Sequence, residues 1–418
     1  MSPAPDTTPP ADGTPQHCDV LVVGAGPAGS ACARQLALAG WQVILVDKRS
    51  FPRDKVCGDG LIPDSMAALR RLGVLDRVLA QARPVGLARC VAPSRQSVDI
   101  PGDMAVVPRR LLDQILCQAA VEAGALFLAP AEFIAPRLDA DGRVCGARFK
   151  AQAQTREIGC RWLVLATGAA VGPLEAAQLC ERKRPSGFAL RQYIRHEELA
   201  QQMDSLRFIW HRALRGGYGW IFPGPDGVCN IGVGVLNDRS GRGSRRLPRM
   251  FARLGEIDPV AARLLAEGVA QGPLQGAPLR CDLEGARWYR PGLLLTGEAA
   301  GSTYSFTGEG IGKALESGLA AADSLLESAA DDTGAAHAPP DEAVQLAYGA
   351  RLQALHPRFA MYRKAASFNR HPWLVNLVIW RIRASARAIA VLADILAERR
   401  LPYNLLSWRG LRALWRIR

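Results

Sequence analysis

Cys18-Asp-Val-Leu-Val-Val-Gly24-Ala-Gly26-Pro-Ala28-Gly29-Ser30, followed after a stretch closed by Gly40 by Trp41-Gln-Val-Ile-Leu-Val-Asp47, decides the fold of this chain. An apolar run ends in glycines, Ser30 to Ala39 has helical composition, and a second apolar run begins at Trp41. This order predicts strand, tight turn, helix, strand. Gly24, Gly26 and Gly29 fit G-x-G-x-x-G, with Ala28 inside the motif. Glycines at that spacing permit the turn and let a helix amino end approach a pyrophosphate, whose charge free N–H groups and the helix dipole favour. Asp47 closes the second strand at about the ~20-residue distance where a carboxylate meets an adenosine ribose. The unit is therefore expected to bind a dinucleotide.

Outward from this unit the chain keeps an α/β rhythm. Arg109 to Ala123 carries apolar residues at helical spacing, stops at Gly124, and is followed by an extended run at Leu126 to Leu128. Arg137 to Lys150 holds an Asp-Ala-Asp-Gly turn between extended runs, and Arg161 to Ala166 is an apolar strand ending in Thr167-Gly168. From Ser186 to Leu236 four extended runs are separated by Gly, Pro and Asp turns, which predicts an antiparallel sheet serving the substrate. Leu293 to Thr296 then reads as a strand and Ile311 to Ala330 as a helix that returns to the first unit. The expected organisation is a disordered tail over 1–16, a discontinuous nucleotide-binding domain over 17–175 and 285–328, and a β-rich domain over 176–284. A linker over 329–345 and a helical, basic region over 346–418 complete it.

Composition narrows the function classes. The ten cysteines stand singly, without a CxxC pair or zinc-type spacing, so no metal is expected and reduced thiols in a cytoplasmic protein are. No apolar run approaches the roughly 18 residues that span a bilayer. Of the net charge of +13, +12 falls between Arg351 and Arg418, where fourteen Lys or Arg face only Asp394 and Glu398. His371 to Trp380 is apolar with Trp373 and Trp380 near its ends, and the residues beyond mix Ile, Leu and Trp with arginines. Two readings stand for this region: peripheral contact with the inner face of a membrane, or a solvated basic helix pair packed on the body. Nucleic acid binding is not expected, because no recognition motif accompanies the charge. Oligomeric state is not legible.

A second motif separates the dinucleotides. Leu293-Leu-Leu-Thr-Gly297-Glu298-Ala-Ala-Gly301 followed by Phe306-Thr-Gly-Glu-Gly310-Ile311-Gly312 resembles the G-D-A-A-G and G-E-G-I element of the glutathione-reductase-type FAD fold. There an acid binds the ribitol, here Glu298 in place of the usual Asp, and amides of the next helix face the isoalloxazine. Pro52-Arg-Asp-Lys-Val-Cys57-Gly58-Asp-Gly60 is similar to a K-x-C-G-x-G segment beside the flavin, and Tyr218-Gly-Trp220-Ile-Phe-Pro223 to a Y-x-W-x-F-P strand that walls a substrate cavity. On these segments the chain resembles the geranylgeranyl reductase family of FAD-dependent oxidoreductases, itself related to flavin aromatic hydroxylases and halogenases.

The resemblance implies a Rossmann-type FAD-binding domain with an antiparallel β-sheet substrate domain and a helical C-terminal region. It implies FAD contacts at Gly24, Gly26, Ala28, Gly29, Asp47, Lys48, Gly58, Gly60, Arg109, Phe133, Gly168, Gly297, Glu298, Gly310 and Ile311. Cys57, Tyr218 and Trp220 are the catalytic candidates, Cys57 as a proton donor, as a flavin-face contact or as a residue chosen for size. The implied reaction is reduction of a C=C bond in an isoprenoid or prenyl lipid by hydride from the reduced flavin; whether NAD(P)H or ferredoxin is the external donor is not legible. The alternative is an FAD monooxygenase or halogenase acting on an aromatic or polyketide. Where many relatives carry Ala-Asp-Gly and then Ser and Arg, this chain has Ala166-Thr-Gly168 and Ala170-Val-Gly-Pro173.

Overall fold

The computed structural model describes residues 15–151, 154–180, 183–236, 243–330 and 340–400. The expected tail through residue 14, the centre of the expected linker at 331–339 and the basic terminus at 401–418 lie outside the described residues. Strand His17–Val23 runs parallel to Val43–Val46 on one side and to Gln154–Leu165 on the other, with Val20 aligned to both Val43 and Trp162. Leu126–Leu128 and Leu293–Leu295 extend the parallel sheet outward. Because both faces of this sheet are covered, its strands are continuous apolar runs, and Val20, Leu21 and Val22 have no exposed surface. The hairpin Glu132–Leu138 and Val144–Ala151 hangs antiparallel from Gln154–Leu165.

Helix Pro27–Leu38 starts three residues before the predicted Ser30, with Pro27 at its first position, where a missing N–H costs nothing. It packs on helix Ile311–Ala330, the range expected from sequence. Their approach is set by Gly318, where an added Cβ would meet the Ala28 carbonyl oxygen at 2.1 Å.

The second sheet contains Gly187–Arg195, Ser205–Ile209, Gly217–Pro223 and Val228–Val235, matching the four predicted runs. Its pairing differs from the expected arrangement in two ways. Arg83–Val91, Ser97–Val106 and Gly60–Leu61, which sequence reading grouped into 17–175, pair into this sheet instead. Ser205–Ile209 is also parallel to Arg83–Val91, so the sheet is mixed. Sheet membership depends on long-range pairing, and no local periodicity of Arg83–Val106 could announce its partner.

Helices Asp341–Ala354, His356–Arg370, Pro372–Ile382 and Ala386–Leu396 form the C-terminal region. Val344, Tyr348 and Leu352 enter the core of the parallel sheet, while Val375, Ile379 and Ile382 cover Val85, Val98 and Met104 of the second sheet. Among the described residues, no helix is long and apolar enough to cross a membrane. Replacing Gly318 by Ala should force the two nucleotide-domain helices apart and lower stability by about 1–3 kcal/mol, visible as a reduced Tm with unchanged far-UV circular dichroism.

Candidate active site

The two sheets enclose a cleft of about 1020 Å³ that runs from the Gly24 turn to the aromatic strand Gly217–Pro223. At its first end Gly24 adopts φ +105°, and a Cβ there would meet the Ala166 carbonyl oxygen at 2.3 Å, so only glycine seats this turn against the neighbouring strand. Gly29 plays a packing role, since its Cβ would overlap the Gly24 oxygen at 1.8 Å. Gly26 faces the cleft under two guanidinium groups, with Arg53 and Arg109 nitrogens 3.7 and 3.9 Å from where a Cβ would stand.

These arginines belong to a buried chain of alternating charge. Asp47 accepts from the Ala25 N–H at 2.9 Å, from the Arg49 N–H at 3.0 Å and from Arg53 at 3.3 Å. Arg53 continues to Asp113 at 2.9 Å, and Arg109 grips the same carboxylate with two bonds of 2.7 and 2.8 Å. The Arg109 N–H donates to Asp59 at 3.3 Å. Asp59 also accepts from the Tyr193 hydroxyl at 2.5 Å and the Asn230 amide at 2.8 Å. Burial holds Asp59 up at about 6 although Tyr193 and Asn230 pull it down. Asn230 reaches the Cys57 carbonyl at 2.8 Å as well and accepts from the Trp220 indole at 2.9 Å.

In the middle of the cleft, Glu298 lies beside Gly168 and accepts from the Arg280 N–H at 3.2 Å, with the Lys55 ammonium 3.8 Å away. The buried Thr167 hydroxyl, also on the lining, has no hydrogen-bond partner among the described residues. Farther along, Phe222 and Trp220 pack on Gly58 and Gly60, where a Cβ would come within 3.1 and 3.2 Å of the Phe222 ring. Trp220 stands opposite Gly232 across the strand pair, and a Cβ there would collide with the indole at 2.2 Å. Phe208 closes the wall with its ring 5.1 Å from Phe222 and 5.9 Å from Tyr218, whose hydroxyl donates to the Thr307 carbonyl.

Of the residues expected to hold FAD, Gly24, Gly26, Ala28, Asp47, Lys48, Gly58, Gly60, Arg109, Phe133, Gly168, Glu298, Gly310 and Ile311 line this one cleft, as do Cys57, Tyr218 and Trp220. Gly29 and Gly297 stand behind it: Gly297, at φ +63°, lets the loop press on Ala28, where a Cβ would come within 2.7 Å. Burial pushes the Cys57 thiol up, which keeps it protonated. Sequence reading missed Arg53, Asp59, Lys55, Tyr193, Asn230 and Glu309. Asp59 and Lys55 sit inside the quoted Lys-Val-Cys-Gly-Asp-Gly segment and carried a signal, whereas Tyr193 carried none.

The residues fit FAD. Gly26 leaves a cradle that a side chain would fill, two guanidinium groups overhang it, Asp47 and Glu298 are spaced along the cleft, and the Thr167 hydroxyl awaits a partner. Fold and site thus define an FAD-dependent oxidoreductase.

Comparison with known proteins gives the same class. Residues 17–174 match the FAD binding domain family. The chain is similar to the menaquinone reductase of Mycobacterium tuberculosis, 34% identical over 74% of this chain and 76% of that one. It is 31% identical to digeranylgeranylglycerophospholipid reductase 1 of Methanopyrus kandleri over 75% and 82%. A solved structure of a geranylgeranyl bacteriochlorophyll reductase-like protein from Thermoplasma acidophilum superposes with a TM-score of 0.70 at 21% identity, covering 97% of each chain. The chain belongs to the geranylgeranyl reductase family of FAD-dependent oxidoreductases.

The raised Asp59 carboxyl sets a pH test. Its folded value of about 6 exceeds the ordinary 3.8, so the stability associated with it is complete below about pH 4 and is lost as pH rises through 6. Unfolding free energy should fall across that window on the order of 2–3 kcal/mol more steeply in the parent than in Asp59→Asn, as read by urea titrations.

Proposed function

We propose that this protein reduces C=C bonds of an isoprenoid or prenylated lipid, and that the apolar half of the cleft holds the chain being reduced. The observation that carries this reading is the continuity of the nucleotide half with a wall of Phe208, Tyr218, Trp220 and Phe222, extended by Leu206, Leu236 and Leu396. Small-ligand pockets run to roughly 1,000 Å³, and one cleft of this size with a polar and an apolar half suits a dinucleotide beside a long hydrocarbon. Relatives named for reductions of menaquinone and of a digeranylgeranyl lipid support the class of substrate.

When bound and reduced, FAD supplies the hydride. The protein's part is to orient, to exclude water and to manage a proton. Arg53 and Arg109 set positive charge above the Gly26 turn, and Asp47 offers acceptors beside it. Glu298 and Lys55 serve the middle of the cofactor. Tyr218 is tied to the Thr307 carbonyl and Trp220 to Asn230, so the wall is held rigid by bonds behind it. Anaerobically reduced protein mixed with a geranylgeranyl compound should reoxidise its flavin and yield the saturated bond. Oxidation that needs oxygen and inserts it into an aromatic additive would instead select the monooxygenase alternative.

The basic C-terminal region supports a peripheral contact with an anionic membrane surface. Helix Pro372–Ile382 buries Val375, Ile379 and Ile382 and leaves Trp373, Leu377 and Trp380 at 63, 42 and 50% exposure, at the i, i+4, i+7 spacing of one face. Arg370, Arg383 and Arg387 flank that face, and each cation near an anionic leaflet contributes about 1 kcal/mol. Flotation with phosphatidylglycerol vesicles should be lost or strongly reduced in the Trp373→Ala, Leu377→Ala double variant and in high salt. Parent-like flotation of the variant removes this face from the contact.

A further inference from the structure

Beneath the Gly308-Glu309-Gly310 loop, separate chain segments bring ionisable side chains into one dry cluster. Lys313, in the first turn of helix Ile311–Ala330, has a side chain 1% exposed, lies 3.6 Å from Asp64 Oδ2, and donates to Glu398 at 2.8 Å and to Glu316. Asp64, from helix Pro63–Arg71, lies flat on the helix backbone, with Oδ2 2.1 Å from where a Cβ would stand on Gly312. Its other oxygen accepts from the Ser65 N–H and, at 3.1 Å, from the Ser65 hydroxyl. Glu398 accepts from the Tyr304 hydroxyl at 2.9 Å and from Arg358 at 2.7 Å, and the Tyr362 ring stacks on Tyr304 at 4.1 Å. Glu309 adjoins Asp64 and feels the charges of Lys313 and Glu398, and its own charge acts on the phenols of Tyr218, Tyr304 and Tyr362.

Charge in this cluster does not balance. The buried Asp64 and the part-buried Glu398 pair with Lys313, and Arg358 pairs with Glu398; Glu309, part-buried beside Asp64, adds a third carboxyl, and Glu316 adds a carboxylate at the solvent margin. Among the described residues, Asp64 Oδ2 and Glu309 Oε1 are buried without a hydrogen-bond donor. Two facing acceptors of like charge, away from water, are costly on both counts, and one proton between them supplies the missing donor while cancelling the repulsion. Burial drives in the same direction, pushing both carboxyls up and Glu309 well above its usual range, where Asp64 raises it further, while Lys313 and the bond with Glu309 draw Asp64 back down.

We infer that Asp64 and Glu309 share one proton in the resting protein, and that Glu309, whose loop lines the cleft, is the acid that supplies the protonation half of the reduction. This rests on the C=C reading above. The π bond breaks, one carbon takes hydride with both electrons from the reduced flavin, and the other takes the Glu309 proton without electrons. The carboxylate left behind faces the Lys313 ammonium until water returns a proton. The other acids of the cleft suit the task less. Burial raises the Cys57 thiol and the Tyr218 phenol, and both Asp59 oxygens are occupied by donors from Tyr193, Asn230 and Arg109. A carboxyl raised from an acidic starting value is a better-matched donor than a thiol or phenol raised further above neutrality.

Infrared difference spectra of the full-length, FAD-loaded protein across a pH titration test whether the proton is held, without any turnover. A protonated-carboxyl band should persist at neutral pH in the parent and vanish in both Glu309→Gln and Asp64→Asn, with the flavin absorbance of each variant confirming that it folds and binds. A band that survives in both overturns the shared proton. In single turnover, Glu309→Gln should be reduced at the parent rate but oxidised by a geranylgeranyl compound about 10²–10⁴-fold more slowly. Oxidation at the parent rate overturns the donor role. If the parent itself fails to oxidise with the alkene, the substrate reading falls, and the band still decides whether Asp64 and Glu309 hold the proton.

Discussion

Asp113 has no exposed surface, yet it carries the bonds of two guanidinium groups, and the cleft is built around that arrangement. A buried carboxylate between two arginines is tolerable only because each charge is answered within hydrogen-bond distance. The consequence is geometric. Arg53 extends from Asp113 to Asp47 and hence to the Gly24 turn, while the backbone of Arg109 extends to Asp59 and hence to Tyr193 and Asn230 of the second sheet. One line of alternating charge therefore ties the parallel sheet to the mixed sheet across the whole floor of the cleft. Removing Asp113 would strip the buried Arg109 guanidinium of the carboxylate that takes both its bonds, a loss of roughly 3–5 kcal/mol.

The two ends of the cleft use opposite means to make room for a ligand. At the nucleotide end, glycines bring backbone close to where phosphate belongs, and cations stand over it. At the far end, Gly58, Gly60 and Gly232 make room for Phe222 and Trp220, so the aromatic wall owes its position to absent side chains. The Trp220 ring is fixed from behind by Asn230, which also holds the Cys57 carbonyl and Asp59. Cofactor loop and substrate wall thus share one amide as a common support, and a change in either is felt by the other.

The C-terminal helices join the body through both cores and reach the cleft through Leu396, with Glu398 bonded to Lys313, Tyr304 and Arg358. Among the described residues, Arg363, Arg370, Arg383 and Arg387 are exposed while Val375, Ile379 and Ile382 turn inward. The helix that carries exposed Trp373 and Leu377 is the one that covers the second sheet.

By itself, the sequence determined whatever local chemistry announces. The Gly24 to Gly29 turn, Asp47, the four runs between Ser186 and Leu236 and the helix at Ile311 were legible because spacing, glycine and apolar period act within a few residues. The pull of Cys57, Tyr218, Trp220, Phe133 and Glu298 toward one cofactor came from motifs and from family resemblance. Tertiary structure decided the rest. It placed Arg83–Val91 and Ser97–Val106 in the second sheet, put Gly29 and Gly297 behind the cleft, and joined Asp47, Arg53, Asp113 and Asp59 into one buried line. It alone set Asp64 against Glu309. Pairings of that kind join residues separated by up to hundreds of positions, and their energy comes from burial and mutual charge, which exist only after the chain has folded.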